Sequence, residues 1–141
     1  MKTKIISLLV LILVNGALFA QHNFSVEVTG VQPGKGYVFF GLYDKEKGFL
    51  DNESQIATAK VKANQNSVVY TFKNLPDGNY AIAVYQDVNS NGKCDRNMIG
   101  YPTEGFGFSK NYKPKFSAPN FDEVKIAIDQ YATTSIALIG K

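Results

Sequence analysis

Oxygen-bearing side chains recur at alternate positions of one short stretch, Asp87-Val88-Asn89-Ser90-Asn91-Gly92-Lys93-Cys94-Asp95. Asp87, Asn89, Asn91 and Asp95 occupy loop positions 1, 3, 5 and 9, and Gly92 occupies position 6. A hard cation such as calcium takes six to eight oxygens, and alternate residues of a tight loop can aim theirs at one point. Gly92 permits the sharp reversal, and Lys93 can offer its backbone carbonyl at position 7. Position 12 is Met98 and not a bidentate acid, so Glu104 is the nearest residue that could close the cage. A set of ligands with so few charges is expected to bind calcium at about 10⁻⁴–10⁻³ M. The same residue types also make Asx-turns without any metal, and that alternative stays open.

A second stretch follows, Gly100-Tyr101-Pro102-Thr103-Glu104-Gly105-Phe106-Gly107-Phe108-Ser109. Aromatics separated by glycines can lie flat as a platform for a sugar or peptide, or fold over a sandwich as a lid; the lid is preferred. Tyr101, Phe106, Phe108 and Tyr112 are the ligand-binding candidates if the platform forms.

Catalysis finds little support, and an enzyme is not expected. The one histidine, His22, precedes the first strand and is expected to be mobile; no nucleophile lies near a plausible base. Zinc sites built from His and Cys are excluded by counting. Asp95 with Glu104 could do acid–base work, which leaves a hydrolase of unrecognised type as a remote alternative.

These segments need a scaffold, and period-two alternation supplies it. Phe24, Val26 and Val28 share one face, as do Val38, Phe40 and Leu42. Phe39, Gly41 and Tyr43 lie on the opposite face of the second run. A weaker run over 55–62 is anchored by Ile56 and Val61. Val68, Tyr70 and Phe72 follow, then Tyr80, Ile82 and Val84 after a tight turn at Leu75-Pro76-Asp77-Gly78, where Gly78 would take positive φ. Two closing runs hold Val124, Ile126 and Ile128, then Thr134, Ile136 and Leu138. Phe49 and Leu50 are expected to tuck back from a polar loop. The fold class is therefore all-β: a seven-stranded, immunoglobulin-like or prealbumin-like antiparallel sandwich of Greek-key type, with no helical period.

The chain opens with Lys2 and Lys4, an apolar run over 5–14, and a small-residue exit at Ala20. This is the order of a cleavable signal peptide over residues 1–20, leaving 21–141 as a single domain. The run is too short to span a bilayer, so no membrane span is expected after cleavage. Export to the periplasm or the extracellular space follows. Loss of Lys2 and Lys4 lowers the formal net charge from +3 to +1, and no basic patch suggests nucleic acid. Cys94, the single cysteine, reads as an incidental free thiol.

The stretch Phe72-Lys73-Asn74-Leu75-Pro76-Asp77-Gly78-Asn79-Tyr80, the 86–92 segment, and Ile99-Gly100-Tyr101-Pro102-Thr103-Glu104-Gly105-Phe106-Gly107-Phe108-Ser109 together resemble the secreted bacterial family called domain of unknown function 2141. The middle portion is also similar to carboxypeptidase regulatory-type and cell-surface B-type sandwich modules. That similarity implies calcium at Asp87, Asn89, Asn91, Lys93 and Asp95, with Met98 departing from the pattern. The expected role is a structural or binding module of the cell envelope. Its partner would be another envelope protein or a glycan.

Overall fold

The computed structural model describes residues 20–140. The expected signal peptide lies outside the described residues except for Ala20. Eight strands form two sheets: β1 (Gln21–Thr29), β2 (Tyr37–Tyr43), β3 (Ala57–Lys62), β4 (Ser67–Pro76), β5 (Gly78–Asp87), β6 (Phe106–Phe108), β7 (Ile126–Ile128) and β8 (Ala132–Ala137). One sheet runs β4-β1-β8, and the other β3-β2-β5-β6 with β7 paired to the start of β5. The all-β sandwich is as expected.

The details differ from the sequence reading in physically instructive ways. The eighth strand is β6, a three-residue piece inside a segment whose glycines hide its alternation. The β1–β8 pair is parallel, from Phe24 opposite Ala132 to Thr29 opposite Ala137. Parallel strands need a long crossover, and here it is nearly the whole domain. Ile56 is 44% exposed; Ala59 and Ala63 take the buried positions instead. The left-handed backbone near the β4–β5 turn sits at Asn74 (φ 59°) and not at Gly78. There β4 carries one extra residue between the pairs His22–Leu75 and Phe24–Phe72, which is a β-bulge. His22 belongs to β1, with Nε2 2.6 Å from Asp77 Oδ1. One helical turn, α1 (Phe121–Val124), also forms, with Glu123 reaching back to the Asn120 N–H at 2.8 Å.

The main core lies between the sheets. Phe24, Val26 and Val28 from β1 meet Val38, Phe40 and Leu42 from β2 and Ile82 and Val84 from β5. Gly107 lets β6 close one end of this core. A Cβ there would stand 2.6 Å from Ile136 Cγ2, closer than packed atoms allow. Phe106 and Ile139 exchange both backbone hydrogen bonds, at 2.9 and 2.8 Å, stitching β6 to the chain just after β8.

The outer face of the five-stranded sheet is apolar too. Tyr43, Ala81, Phe106 and Phe108 form a second cluster with Phe121 and Val124 of α1. Phe49 and Leu50 fold back onto it as expected; Phe49 packs edge-on against Tyr43 and Phe121. Buried Ser109 ties the covering segment down, since its Oγ accepts the Ile82 N–H (3.0 Å) and donates to the Val124 carbonyl (2.6 Å).

Candidate functional site

The 87–95 loop leaves the end of β5 with Asp87 fully buried. Its Oδ1 accepts the Asn91 N–H at 3.0 Å and its Oδ2 the Gly92 N–H at 2.8 Å. Left-handed backbone at Ser90 (φ 62°) and Gly92 (φ 78°) folds the chain around that carboxylate. Glu104, also buried, spans the loop's two ends: Oε1 accepts the Val88 N–H (2.8 Å) and Oε2 the Asp95 N–H (3.1 Å). Asp87 and Glu104 therefore satisfy four backbone donors, and charge-assisted bonds of this kind are the stronger ones.

The expected cation ligands divide accordingly. Asn89, Asn91 and Asp95 do meet: Asn89 Nδ2 lies 2.7 Å from Asp95 Oδ2, and Asn91 Nδ2 lies 3.0 and 3.1 Å from the two Asp95 oxygens. Both amide oxygens are already engaged, Asn89 Oδ1 by the Asn91 N–H at 3.1 Å and Asn91 Oδ1 by the backbone beyond it, so a cation here would have to replace those bonds. Lys93 enters through its N–H, donated to Asn91 Oδ1 at 2.9 Å. Asp87 and Glu104 instead bind backbone. Among the described residues no three His, Cys, Asp or Glu side chains are grouped to hold a metal. The part of the set that fits a cation has one carboxylate, and calcium sites with few charges are weak.

The aromatic segment also divides. Phe106 and Phe108 are buried on β6, as a lid would have them. Tyr101 is 45% exposed and packs edge-on against Phe106 at 5.5 Å. Tyr112 turns away and donates its hydroxyl to Glu123 Oε1 at 3.0 Å.

Between this segment and the sheet lies a cleft of about 570 Å³. Its floor follows from strand register. Gly41 of β2 faces Ala83 of β5, so the outer face has almost no side chain there. One pair along, Phe39 faces Tyr85, and their rings stack at 5.1 Å with planes 4° apart. Tyr43, Tyr101, Phe106 and Phe108 line other parts of the cleft, and Phe116 and Ile99 stand at its mouth, 101% and 88% exposed. Gln55 lies over Gly41 and donates to the Tyr43 hydroxyl at 3.0 Å, putting one polar group on the floor. Phe39, Tyr43, Tyr85 and Phe116 were not singled out as functional from sequence. For Phe39, Tyr43 and Tyr85 the signal was an outward strand face as apolar as the inward one; Phe116 lies in a loop with no period to mark it.

Burial raises the ionisable groups here. The Tyr85 phenol is pushed up to about 12 by burial, with the charges of Asp87, Cys94 and Glu104 adding to it. Burial pushes the Cys94 thiol up to about 11, against the opposing pull of Arg96. Burial also raises the Tyr43 phenol, although the bond from Gln55 opposes it. These groups are neutral at pH 7, and the charged residues lining the cleft are Arg96 and Lys115.

A family model described as an uncharacterized protein conserved in bacteria (DUF2141) matches residues 26–136. No curated protein and no solved structure matches the chain. No helix among the described residues is long and apolar enough to cross a membrane.

Proposed function

The chain belongs to the DUF2141 family, and on that premise we propose that it is an exported envelope module that binds a small apolar-bodied ligand in the cleft over Gly41 and Ala83. One observation carries this reading. Most of the outer sheet face is covered by the chain's own apolar side chains, yet a cleft walled by aromatic rings is left open beside them. Volumes of 300–1,000 Å³ with mostly apolar walls and a few polar groups are typical of ligand sites. The role is binding and not catalysis. Asp95 and Glu104 make backbone or amide bonds, and His22 lies against Asp77, away from the cleft lining.

A neutral solvatochromic probe, N-phenyl-1-naphthylamine, tests this. Saturable fluorescence enhancement that weakens in Tyr101→Ala and Phe116→Ala supports the cleft. Enhancement that is absent, or unchanged in both variants, removes it. Export is tested by the mass of the protein recovered from its bacterial host, which should correspond to cleavage after Ala20.

A second reading rests on the meeting of Asn89, Asn91 and Asp95. Calcium held there would stiffen the wall of the cleft. Calorimetric titration into chelator-treated protein should then show saturable binding that Asp95→Asn removes. No heat at millimolar calcium would leave the loop to its own hydrogen bonds.

A further inference from the structure

Resting on the cleft reading, we infer that the ligand is an amphipathic anion, an apolar chain or ring bearing one carboxylate that Arg96 and Lys115 receive. No Asp or Glu lines the cleft, so its two cations face no compensating acid inside it. Among the described residues the ion pairs are His22 with Asp77 and Lys125 with Asp122, neither of which involves Arg96 or Lys115. Tyr85 and Cys94, which could supply negative charge, are held neutral. A depression continuous with the cleft shares Leu50, Asn52, Tyr85, Cys94 and Arg96 and carries Asp51, Glu53 and Lys93, so the acids on this side stand beside the aromatic cleft and not in its lining.

Arg96 is also well placed to act on a ligand. Its backbone bridges to Pro102, and the Asn97 N–H bonds the Tyr101 carbonyl at 2.9 Å. The Thr103 N–H bonds the Asp95 carbonyl at 2.8 Å, and Glu104 grips the Asp95 N–H. The guanidinium thus springs from a pinned hairpin and needs little further ordering at its base. Both cations are solvent-exposed, so their pull on a carboxylate is modest and screened by salt. The apolar part of the ligand is called for by Ile99, Tyr101 and Phe116, whose exposed surfaces at the mouth would be covered on binding.

The experiment is displacement of bound N-phenyl-1-naphthylamine by decanoate and by its uncharged isostere decanamide. Decanoate should displace the probe at about tenfold lower concentration. Arg96→Gln and Lys115→Gln should each shift decanoate several-fold and leave decanamide unmoved, with melting temperatures unchanged. Raising salt from 0.05 to 0.5 M should weaken decanoate alone. Equal potency of the two competitors, or displacement by neither, overturns the anionic ligand while bound probe keeps the cleft reading. A probe that never binds the wild-type protein overturns the cleft reading itself.

Discussion

The two faces of the five-stranded sheet share one backbone and differ in what covers them. On the inner face Val38, Phe40, Leu42, Ile82 and Val84 are at most 2% exposed. On the outer face Phe39, Gly41, Tyr43, Ala83 and Tyr85 alternate with them, residue for residue. The inner set is closed by the opposite sheet. The outer set is closed where Phe49, Leu50 and α1 reach it and where Gln55 lies on buried Gly41, and it opens beside them towards Ala83, Phe39 and Tyr85. Under the proposed binding role, strand neighbours divide stability and recognition between them. What makes the difference is what packs over each face, the opposite sheet on one side and only part of the chain's own loops on the other.

The sharpest way to break this comparison is to truncate neighbours. Phe40→Ala should lower unfolding free energy by about 3–5 kcal/mol. Phe39→Ala should cost less than about half as much and weaken probe binding severalfold. Denaturant titration and fluorescence read the two effects, and equal stability losses would erase the distinction. Next in size is Asp87→Ala, which strands two loop amides. About 1–3 kcal/mol is expected, whereas Asp95→Ala, with its amide partners exposed, should cost under about 1 kcal/mol. A reversed order would make Asp95 the organiser of the loop.

Filling the floor sharpens the comparison without touching the core. Gly41→Val must displace Gln55, whose Nε2 lies 2.6 Å from the new Cβ position. Probe binding should fall at least tenfold with a melting shift of only a few degrees. Retained binding would place the ligand elsewhere.

The smallest effect concerns pH. Cys94 rises from an ordinary 9.0 to about 11 because burial favours the neutral thiol. Its contribution to stability is fully present below pH 9 and is lost as pH climbs through 11. Iodoacetamide at pH 8 should therefore alkylate the folded protein at least about tenfold more slowly than the urea-unfolded chain. Equal rates would mean that the wall around Cys94 is open.

Much of the sandwich was legible because alternation marks each half-buried strand; Val26, Phe40, Ile82 and Ile136 all lie where their period puts them. Strand β6 was hidden because Gly105 and Gly107 dilute its pattern, and the parallel β1–β8 pair because register between chain ends leaves no local trace. In the 87–95 loop the spacing of oxygens was visible, but their division between backbone and one another was not. That division depends on how deeply Asp87 and Glu104 are buried. The cleft escaped notice because it is made by absence, at Gly41 and Ala83, and only pairing across strands brings two small residues together.

The parallel partnership of β1 with β8 sets a timetable. Until residues 132–137 are available, β1 has an unpaired flank along Phe24–Thr29, and contacts that span nearly the whole chain form slowly. The three-stranded sheet is therefore closed only when the first and last strands of the chain meet.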